Sequence, residues 1–328
     1  MKRNILTFIC GIALVSAFWS CKNGDQSFPD FQDGTTVYFP YQYPVRTIVL
    51  GDDEYDLTYD HAWQCQIKAT FGGSYNGSNG SVKISVDPNL VKNITFEDGS
   101  PVKVMPGDYY DLSTDNLEFK GTMNGSTVVQ LTEKFFNDPD AIKNTYVIPV
   151  VMVSQTGFTK INAGELSPDY TSADRTDADK WNVKPMDYVL YCVKFQNKYS
   201  GWWLTNGTTD TKNIEKAQTV QIKTKSLNES IYTVSFQDGS NIYTADLLLS
   251  FKGDQCTISN MTDNGTATGT GTFGDNTEKK AWGNKDRDGL ELNYTINFTG
   301  GKTYSVHEKL VWQRSGVTIE EFTPIYVK

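Results

Sequence analysis

Apolar and polar residues alternate along many short runs of this chain, which is the two-residue period of a half-buried β-strand. In the first half, Val82 to Val86 is a clear run of this kind, and the turn residues Asp87-Pro88 follow it. Such runs recur roughly every 8–12 residues with turn signals between them, a spacing typical of β-sandwiches. The pattern predicts a β-sandwich over residues 34–165.

The second half, residues 185–328, has longer alternating runs. Leu290 to Phe298 alternates strictly, and Ile231–Phe236 is separated from Ile242–Phe251 by Asp238-Gly239, a pair that tolerates the positive φ of a tight hairpin. Long antiparallel strands joined in sequence favour an up-and-down barrel, which removes exposed strand edges by closing on itself. We therefore predict an all-β protein in which an antiparallel barrel follows the sandwich.

A pair of motifs gives the barrel a resemblance to the calycin and lipocalin group. Gly201-x-Trp203 near the first predicted strand and Arg314 just after a late strand resemble the lipocalin pairing. In that group the tryptophan closes one end of the barrel and the arginine stacks across it. The resemblance implies that Trp203 and Arg314 form a structural pair.

The segment between the two predicted domains is polar. Residues 166–180 read LSPDYTSADRTDADK, with four Asp and hardly any apolar side chain. We interpret residues 166–184 as an interdomain linker.

The N-terminal residues predict export and anchoring. Lys2 and Arg3 precede a nearly apolar run, Ile5 to Trp19, which ends at Ser20-Cys21. This order is typical of a secretion signal, and the run is shorter than the ~20 residues of a spanning helix. Cys21 resembles the lipidated cysteine of a bacterial lipoprotein box. We expect a signal peptide over 1–20, a tether over 21–33, and lipid anchoring in the outer membrane at the cell surface; a simple signal peptide with a chance cysteine is the alternative.

The first half also resembles a known family. Val37-Tyr38-Phe39-Pro40, Pro106-Gly107-Asp108-Tyr109-Tyr110 and Tyr146-Val147-Ile148-Pro149 occur in the order seen in domain of unknown function 1735. This is the immunoglobulin-like N-terminal domain of many Bacteroidota-type surface lipoproteins, and the resemblance spans about residues 35 to 165. It implies a setting among accessory glycan-binding lipoproteins of starch-utilisation-like uptake systems. The C-terminal half resembles the calycin-like domains that accompany that family.

Composition restricts the partners. The chain carries a net charge of −9, and loss of Lys2 and Arg3 with the leader takes it to −11. An acidic chain without a Lys/Arg cluster is a poor partner for nucleic acid. The three cysteines after Cys21 are Cys65, Cys192 and Cys256, and we interpret them as small buried residues, with Cys65 and Cys192 in separate domains. One pair with one cysteine left over is the alternative that export would permit.

Catalytic signatures are weak in this sequence. It has two histidines, His61 and His307, and no Cys/His spacing for zinc or Gly-x-Ser-x-Gly elbow. The carboxylate signature of endoglycosidases is missing as well. Asn284 to Gly289 resembles the first half of a calcium loop, but Thr295 stands where the bidentate acid should be, so a hairpin turn explains the run at least as well. We expect no catalytic residue, no metal and no cofactor, with calcium as the alternative.

Aromatic residues are the best functional lead, because the apolar face of a pyranose ring stacks on Trp or Tyr. Trp282 stands in a Gly-, Thr-, Asn- and Asp-rich stretch, and Trp202 should point outward beside Tyr199. We hypothesise a glycan site of Trp282, Trp202 and Tyr199 with polar neighbours Asn284 and Asp286; a loop plug is the alternative for Trp282. The expected function is non-catalytic glycan binding beside uptake-complex or hydrolase partners. The alternative is a cell-surface adhesion or structural protein-interaction module.

Overall fold

The structure is a computed structural model, and it describes residues 29–207 and 218–327. The predicted signal peptide, Cys21 and most of the tether lie outside the described residues. The described residues form two short α-helices, α1 (Thr58–His61) and α2 (Glu133–Phe136), three 3-10 helices and many strands. The 3-10 helices are Pro88–Val91, Pro139–Ile142 and Ala178–Lys180.

The strands fall into an N-terminal group, a barrel group and a short C-terminal pair. The N-terminal group is β1 (Thr36–Tyr38), β2 (Pro44–Val49), β3 (Gln64–Gly72), β4 (Ser81–Val86), β5 (Ile94–Thr95), β6 (Lys103–Val104), β7 (Tyr110–Leu112), β8 (Asn116–Glu118), β9 (Asn124–Leu131), β10 (Tyr146–Thr156), β11 (Lys160–Ile161), β12 (Glu165–Leu166), β13 (Trp181–Val183) and β14 (Tyr188–Gln196). The barrel group is β15 (Gly201–Thr205), β16 (Gln218–Ser226), β17 (Glu229–Asp238), β18 (Asn241–Lys252), β19 (Gln255–Asn260), β20 (Gly265–Trp282), β21 (Lys285–Phe298) and β22 (Lys302–Arg314). The last two strands are β23 (Glu320–Glu321) and β24 (Ile325–Tyr326), which pair with β2 and β5 respectively.

The all-β prediction is confirmed, with a sandwich followed by a closed antiparallel barrel. One sandwich sheet has the order β11-β1-β3-β9-β7, and the other has the order β23-β2-β14-β10-β4-β8, with β6 beside β10. In the barrel each strand pairs with the next, and β15 pairs with β22 to close it. The sandwich core lies between the two sheets and is rich in phenylalanine, including Phe119, Phe135, Phe136 and Phe195.

Strand β14 corrects the predicted domain boundary at residue 185. It pairs with β10 and with β2 inside the sandwich, so the barrel begins at Gly201. Both faces of β14 are buried: Val193 and Phe195 enter the sandwich core, while Leu190 and Cys192 pack on a second core under the C-terminal segment. Both sets of alternate residues in this strand are largely apolar, and two apolar faces fit a central sandwich strand as well as a barrel strand.

The same strand corrects the placement of the cysteines. Cys65 and Cys192 both lie in the sandwich, Cys65 in the core between the sheets and Cys192 in the core outside them. Cys256 lies on the barrel interior. All three are buried, as predicted, and the structure shows that all three are free.

The predicted linker over residues 166–184 is an ordered part of the sandwich. Strands β12 and β13 pair across it. Asp177 is buried and bonds Lys180 Nζ at 3.1 Å, while Arg175 bonds Asp187 at 2.9 Å. Acidic and polar residues that look like a solvated linker in the sequence are therefore held by ion pairs. The direct connection between the domains is the short segment 197–200.

Asn197 holds that connection. Its side-chain amide donates to the backbone oxygens of Ser226 and Glu229 at 2.8 and 2.9 Å, and its carbonyl oxygen accepts from Ser200 Oγ at 2.7 Å. The residue is 1% exposed, so these bonds replace those that water would make. The sandwich strand β14 is thereby fixed to the β16–β17 end of the barrel.

Candidate functional site

Trp282 folds back onto the barrel. It ends β20 beside the two-residue turn Gly283-Asn284, in which both residues have positive φ, 60° and 56°. The half-buried indole packs on Leu204 and Val311, whose strand neighbours point into the barrel, so these two lie on its outer surface. This is the loop-plug alternative. It also places Trp282 on the same outer surface as Trp202, two residues before Leu204.

Tyr199 is part of the barrel core, so its predicted place in a ligand site is wrong. Its ring stacks on Phe251 with centroids 3.6 Å apart, and its hydroxyl donates to the backbone oxygen of Gly253 at 2.8 Å. It is 2% exposed. A tyrosine at the junction fills the end of the barrel because the chain enters the barrel there.

Asp286 stabilises the β20–β21 hairpin. It accepts bonds from Lys279 Nζ at 2.9 Å and from the backbone N–H of Lys280 at 3.1 Å, and these bonds hold its pKa below the ordinary value. Asn284 occupies the turn itself. The calcium-loop interpretation of residues 284–289 is wrong in its ligand set, because Asp288 faces a different group of carboxylates.

The predicted pair of Trp203 and Arg314 is shifted by one residue. Trp203 is fully buried in the barrel opposite Trp312, and Arg314 lies 5.7 Å from the ring of Trp202 on the outside. The cause is a register shift in the β15–β22 ladder between Trp202 and Trp203. The guanidinium over a tryptophan at the barrel end is that of Arg287, 5.5 Å from the Trp312 ring.

Three carboxylates meet where the sandwich touches the barrel. One oxygen from each of Asp52, Asp275 and Asp288 lies within 4.8 Å of the others, and together they could supply three oxygen ligands to a cation. They line a cavity of about 280 Å³ together with His61 and Trp63. Trp63 has φ 58°, a left-handed conformation that is costly for a bulky residue.

Burial raises the pKa of Asp288 to about 6, and the charges of Asp52 and Asp275 add to this effect. The backbone N–H of Asn276 donates to the carboxylate at 2.9 Å and opposes the rise. Asp288 is 4% exposed, whereas Asp52 and Asp275 are exposed. Asp288 is therefore the carboxylate of the trio that most favours a proton near neutral pH.

A second buried acid lies inside the barrel. Glu308 accepts bonds from Tyr294 Oη and Thr205 Oγ1 at 3.2 Å, and from Tyr232 Oη at 3.3 Å. Burial raises its pKa, and these three hydroxyl bonds only partly oppose that. Glu308 and these three hydroxyls form a hydrogen-bonded polar cluster among the apolar side chains of the barrel interior.

A wide cleft lies between the sandwich and the C-terminal segment. This cleft has a volume of about 790 Å³, and a second cleft of about 380 Å³ continues it toward the barrel. Both are lined by Ile142, Lys194 and Glu320. We call the two clefts together the Lys194 groove.

The centre of the Lys194 groove is a fixed polar group. Lys194 Nζ lies 2.7 Å from Glu320 Oε2, and Asn144 Nδ2 donates to Glu320 Oε1 at 3.0 Å. Burial opposes ionisation of Glu320, but these two bonds outweigh it and hold the pKa of Glu320 below its ordinary value. Asn144 Oδ1 is buried without a hydrogen-bond partner. The groove therefore presents a charged pair held on strands β14 and β23, and Asn144, just before β10, holds an unpaired acceptor below its surface.

Trp202 borders the barrel end of the groove. It is half-buried and opposes Gln221 across β15 and β16, and Gln221 lines the smaller cleft. Gly316, which also lines it, lies against the indole, because a Cβ there would come 2.5 Å from Trp202 Nε1. Of the predicted ligand residues, Trp202 is thus the one that the structure places beside an open cleft.

Comparison with known proteins places the chain in a family. A family described as a domain of unknown function (DUF5627) matches residues 196–316, and an N-terminal domain family matches residues 31–159. A solved protein from Bacteroides ovatus, described as structural genomics, unknown function, is 32% identical with a TM-score of 0.82, over 91% of this chain and 100% of that chain. This chain belongs to the same family as that protein.

A second solved structure, a multidomain protein including DUF1735 from Bacteroides ovatus, is 14% identical with a TM-score of 0.38. The alignment covers 84% of this chain and 92% of that chain, and the likeness is too low to support an argument. No curated protein matches. The match over residues 196–316 coincides with the barrel, and the match over residues 31–159 covers the sandwich strands from β1 to β10. The source of the 32% identical protein agrees with a Bacteroidota-type chain.

The Lys194 groove was not predicted from the sequence. Its lining residues come from several distant parts of the chain, so no spacing could reveal them. Glu320 and Glu321 are adjacent on a strand-like segment, where neighbours point to opposite faces, so the pair does not indicate a site. Lys194 was assigned to the wrong domain, and Asn144 carries no signal in a turn-rich stretch.

Among residues 29–207 and 218–327, no helix has the length and apolar character needed to cross a bilayer.

The raised pKa of Asp288 predicts a pH-dependent stability effect. The pKa of Asp288 is about 6 in the folded chain, against ~3.9 in the unfolded chain. Its contribution to folding stability is therefore present below pH ~4 and is lost as the pH rises through about 6. We expect Asp288→Asn, which keeps an acceptor for Asn276, to raise the Tm by about 2–6 °C at pH 7.5 and not at pH 4, in differential scanning calorimetry with EDTA.

The matched control is Asp286→Asn on the same strand, where the carboxylate is exposed and its pKa is lowered. This variant should gain no stability at pH 7.5. An Asp288→Asn variant that melts no higher than wild type at pH 7.5, or that gains as much at pH 4, would contradict the assignment.

Proposed function

We propose that this chain is a lipid-anchored protein of the outer membrane that binds glycans at the cell surface without cleaving them. In this proposal it serves a polysaccharide or N-glycan uptake system as an accessory. Anchoring would keep bound oligosaccharide near an uptake complex or a partner hydrolase, and the gain is one of effective concentration.

The observation that supports binding best is the Lys194 groove with Trp202 at its rim. Sugar sites combine an aromatic face with a few fixed polar groups that bond hydroxyls. The ion pair of Lys194 and Glu320 is such a fixed group, and Gln221 adds an amide beside the indole. Arg314 lies on Trp202 and orients it.

The non-catalytic part of the proposal rests on chemistry. A glycosidase needs two carboxyl groups roughly 5–10 Å apart around the scissile bond, one of them with a raised pKa. Glu320 has a lowered pKa and is committed to Lys194 and Asn144, so it is a poor general acid. Asp288 has a raised pKa but sits in a small cavity of about 280 Å³.

A glycan array on residues 22–328 tests binding. We expect wild type to bind at least one neutral oligosaccharide. We expect Trp202→Ala to weaken that binding about tenfold or more, because a sugar ring stacks on the aromatic face that this substitution removes. Titration calorimetry with the ligand that binds most strongly on the array gives the ratio of the two dissociation constants.

Trp181→Ala is the matched control, since Trp181 is a half-buried tryptophan of the sandwich whose Nε1 donates to Asp174. It should leave the affinity unchanged. Absence of any glycan binding, with capture of a surface protein instead, would favour the adhesion alternative. Release of reducing sugar by the purified chain would refute the non-catalytic assignment.

Anchoring is tested through Cys21. In the full chain expressed in a Bacteroides host, we expect wild type in the membrane fraction and Cys21→Ser in the soluble fraction, because several acyl chains at ~0.8 kcal/mol per buried methylene hold a protein on a bilayer. Cys10 lies inside the apolar run of the predicted signal peptide, so Cys10→Ser is the control and should remain in the membrane fraction. Mass spectrometry that finds an unmodified mature N-terminus would contradict the proposal.

A further inference from the structure

The two clefts of the Lys194 groove form one continuous surface across both domains. The larger cleft is walled by the sandwich and the segment around Phe322, and the smaller one by β14 and the barrel strand β16. Lys194 and Glu320 line both clefts, so the ion pair is at the midpoint and not at an end. An elongated ligand can therefore lie along the groove and contact both sides of the pair.

Asn144 offers a hydrogen-bond acceptor in the wall of the larger cleft. Its Nδ2 is fixed toward Glu320, since a carboxylate accepts and does not donate, and the opposite atom must then be the amide oxygen. That oxygen has no partner and no surface open to solvent, a state that costs free energy until a donor reaches it. A ligand hydroxyl is a donor of the right kind, and the wall of the cleft must shift slightly for the two to meet.

The charges of the groove favour an uncharged ligand. Three of its lysines are already paired with carboxylates: Lys103 and Lys143 bond Asp140, and Lys194 bonds Glu320. The larger cleft also carries Glu97, Asp98 and Glu321 in its lining. In the larger cleft, a carboxylated or sulfated ligand would have to break one of these ion pairs and approach this acidic rim, whereas a neutral polyhydroxyl chain would not. The exposed Lys223 lines the smaller cleft only.

From this arrangement we infer that the Lys194 groove binds a linear, uncharged oligosaccharide along its length, with Asn144 Oδ1 accepting a hydroxyl in the larger cleft and Gln221 bonding another in the smaller one. The inference rests on the proposed glycan-binding function and adds the shape and charge of the ligand. A chain occupies both clefts only when it spans the ion pair, so affinity rises with chain length until the groove is filled.

The test is titration calorimetry of residues 22–328, which include every described residue, with malto-, xylo- and manno-oligosaccharides of two to six units and with oligogalacturonates of the same lengths. We expect at least one neutral series to bind, with the hexasaccharide about tenfold or more tighter than the disaccharide, and the oligogalacturonates to bind at least about tenfold more weakly. Asn144→Ala and Gln221→Ala should each weaken the hexasaccharide about threefold to tenfold, the loss of one hydrogen bond.

Asn297→Ala and Gln237→Ala are the matched controls, because both side chains are exposed on the barrel away from the groove, and they should bind as wild type does. Thermal melting of each variant checks folding, and Asn144→Ser is the substitute if Asn144→Ala melts early. A neutral series that binds with no dependence on length or on Asn144, or oligogalacturonates that bind as tightly, would overturn the inference and leave the proposed function standing. No binding to any probe would overturn both.

Discussion

The structure depends on how tightly the chain is held where it passes between its two β domains. It crosses twice. In the first crossing, Asn197 bonds backbone groups of the barrel, and in the second, Gln196 Nε2 donates to the backbone oxygen of Ser315 at 3.2 Å. The chain then returns to the sandwich, where β23 pairs with β2. A third link runs from Arg287 of the β20–β21 hairpin to Glu54 of the sandwich at 3.0 Å. Buried hydrogen bonds at a junction make two domains behave as one body.

This junction creates the sites. The Lys194 groove exists because β23 brings Glu320 beside Lys194 of β14, and the trio of Asp52, Asp275 and Asp288 exists because a sandwich loop meets the base of the barrel hairpin. Neither domain would carry these arrangements alone. The opposite pKa shifts of Glu320 and Asp288 follow from the same geometry, since Glu320 has a cation and an amide beside it, whereas Asp288 is buried and has two like charges beside it.

Much of the architecture could be predicted from the sequence, because strand period and turn residues are local. The strict alternation of Leu290 to Phe298 lies in the barrel. The hairpin predicted from Asp238-Gly239 lies there too, with Gly239 and Ser240 as its two turn residues. Pairing across domains is not local: β14 has two apolar faces, and only its neighbours β10 and β2 decide that it belongs to the sandwich. The predicted site failed for the same reason. Exposure of Trp282 and Tyr199 depends on what packs over them, whereas Trp202 was placed correctly on the outer surface because alternation with the buried Trp203 fixes its direction.

Native-state amide hydrogen exchange, followed by mass spectrometry on residues 22–328, tests most directly whether the two domains form one body. The account predicts that peptides covering 201–204 and 320–322 exchange as slowly as the core strands β10 and β14. The first segment pairs with β16 and β22 of the barrel, and the second pairs with β2 and Tyr43 of the sandwich. Exchange of 320–322 within seconds, while both domain cores remain protected, would contradict it, since the ion pair of Lys194 and Glu320 would then not be a fixed feature of the molecule.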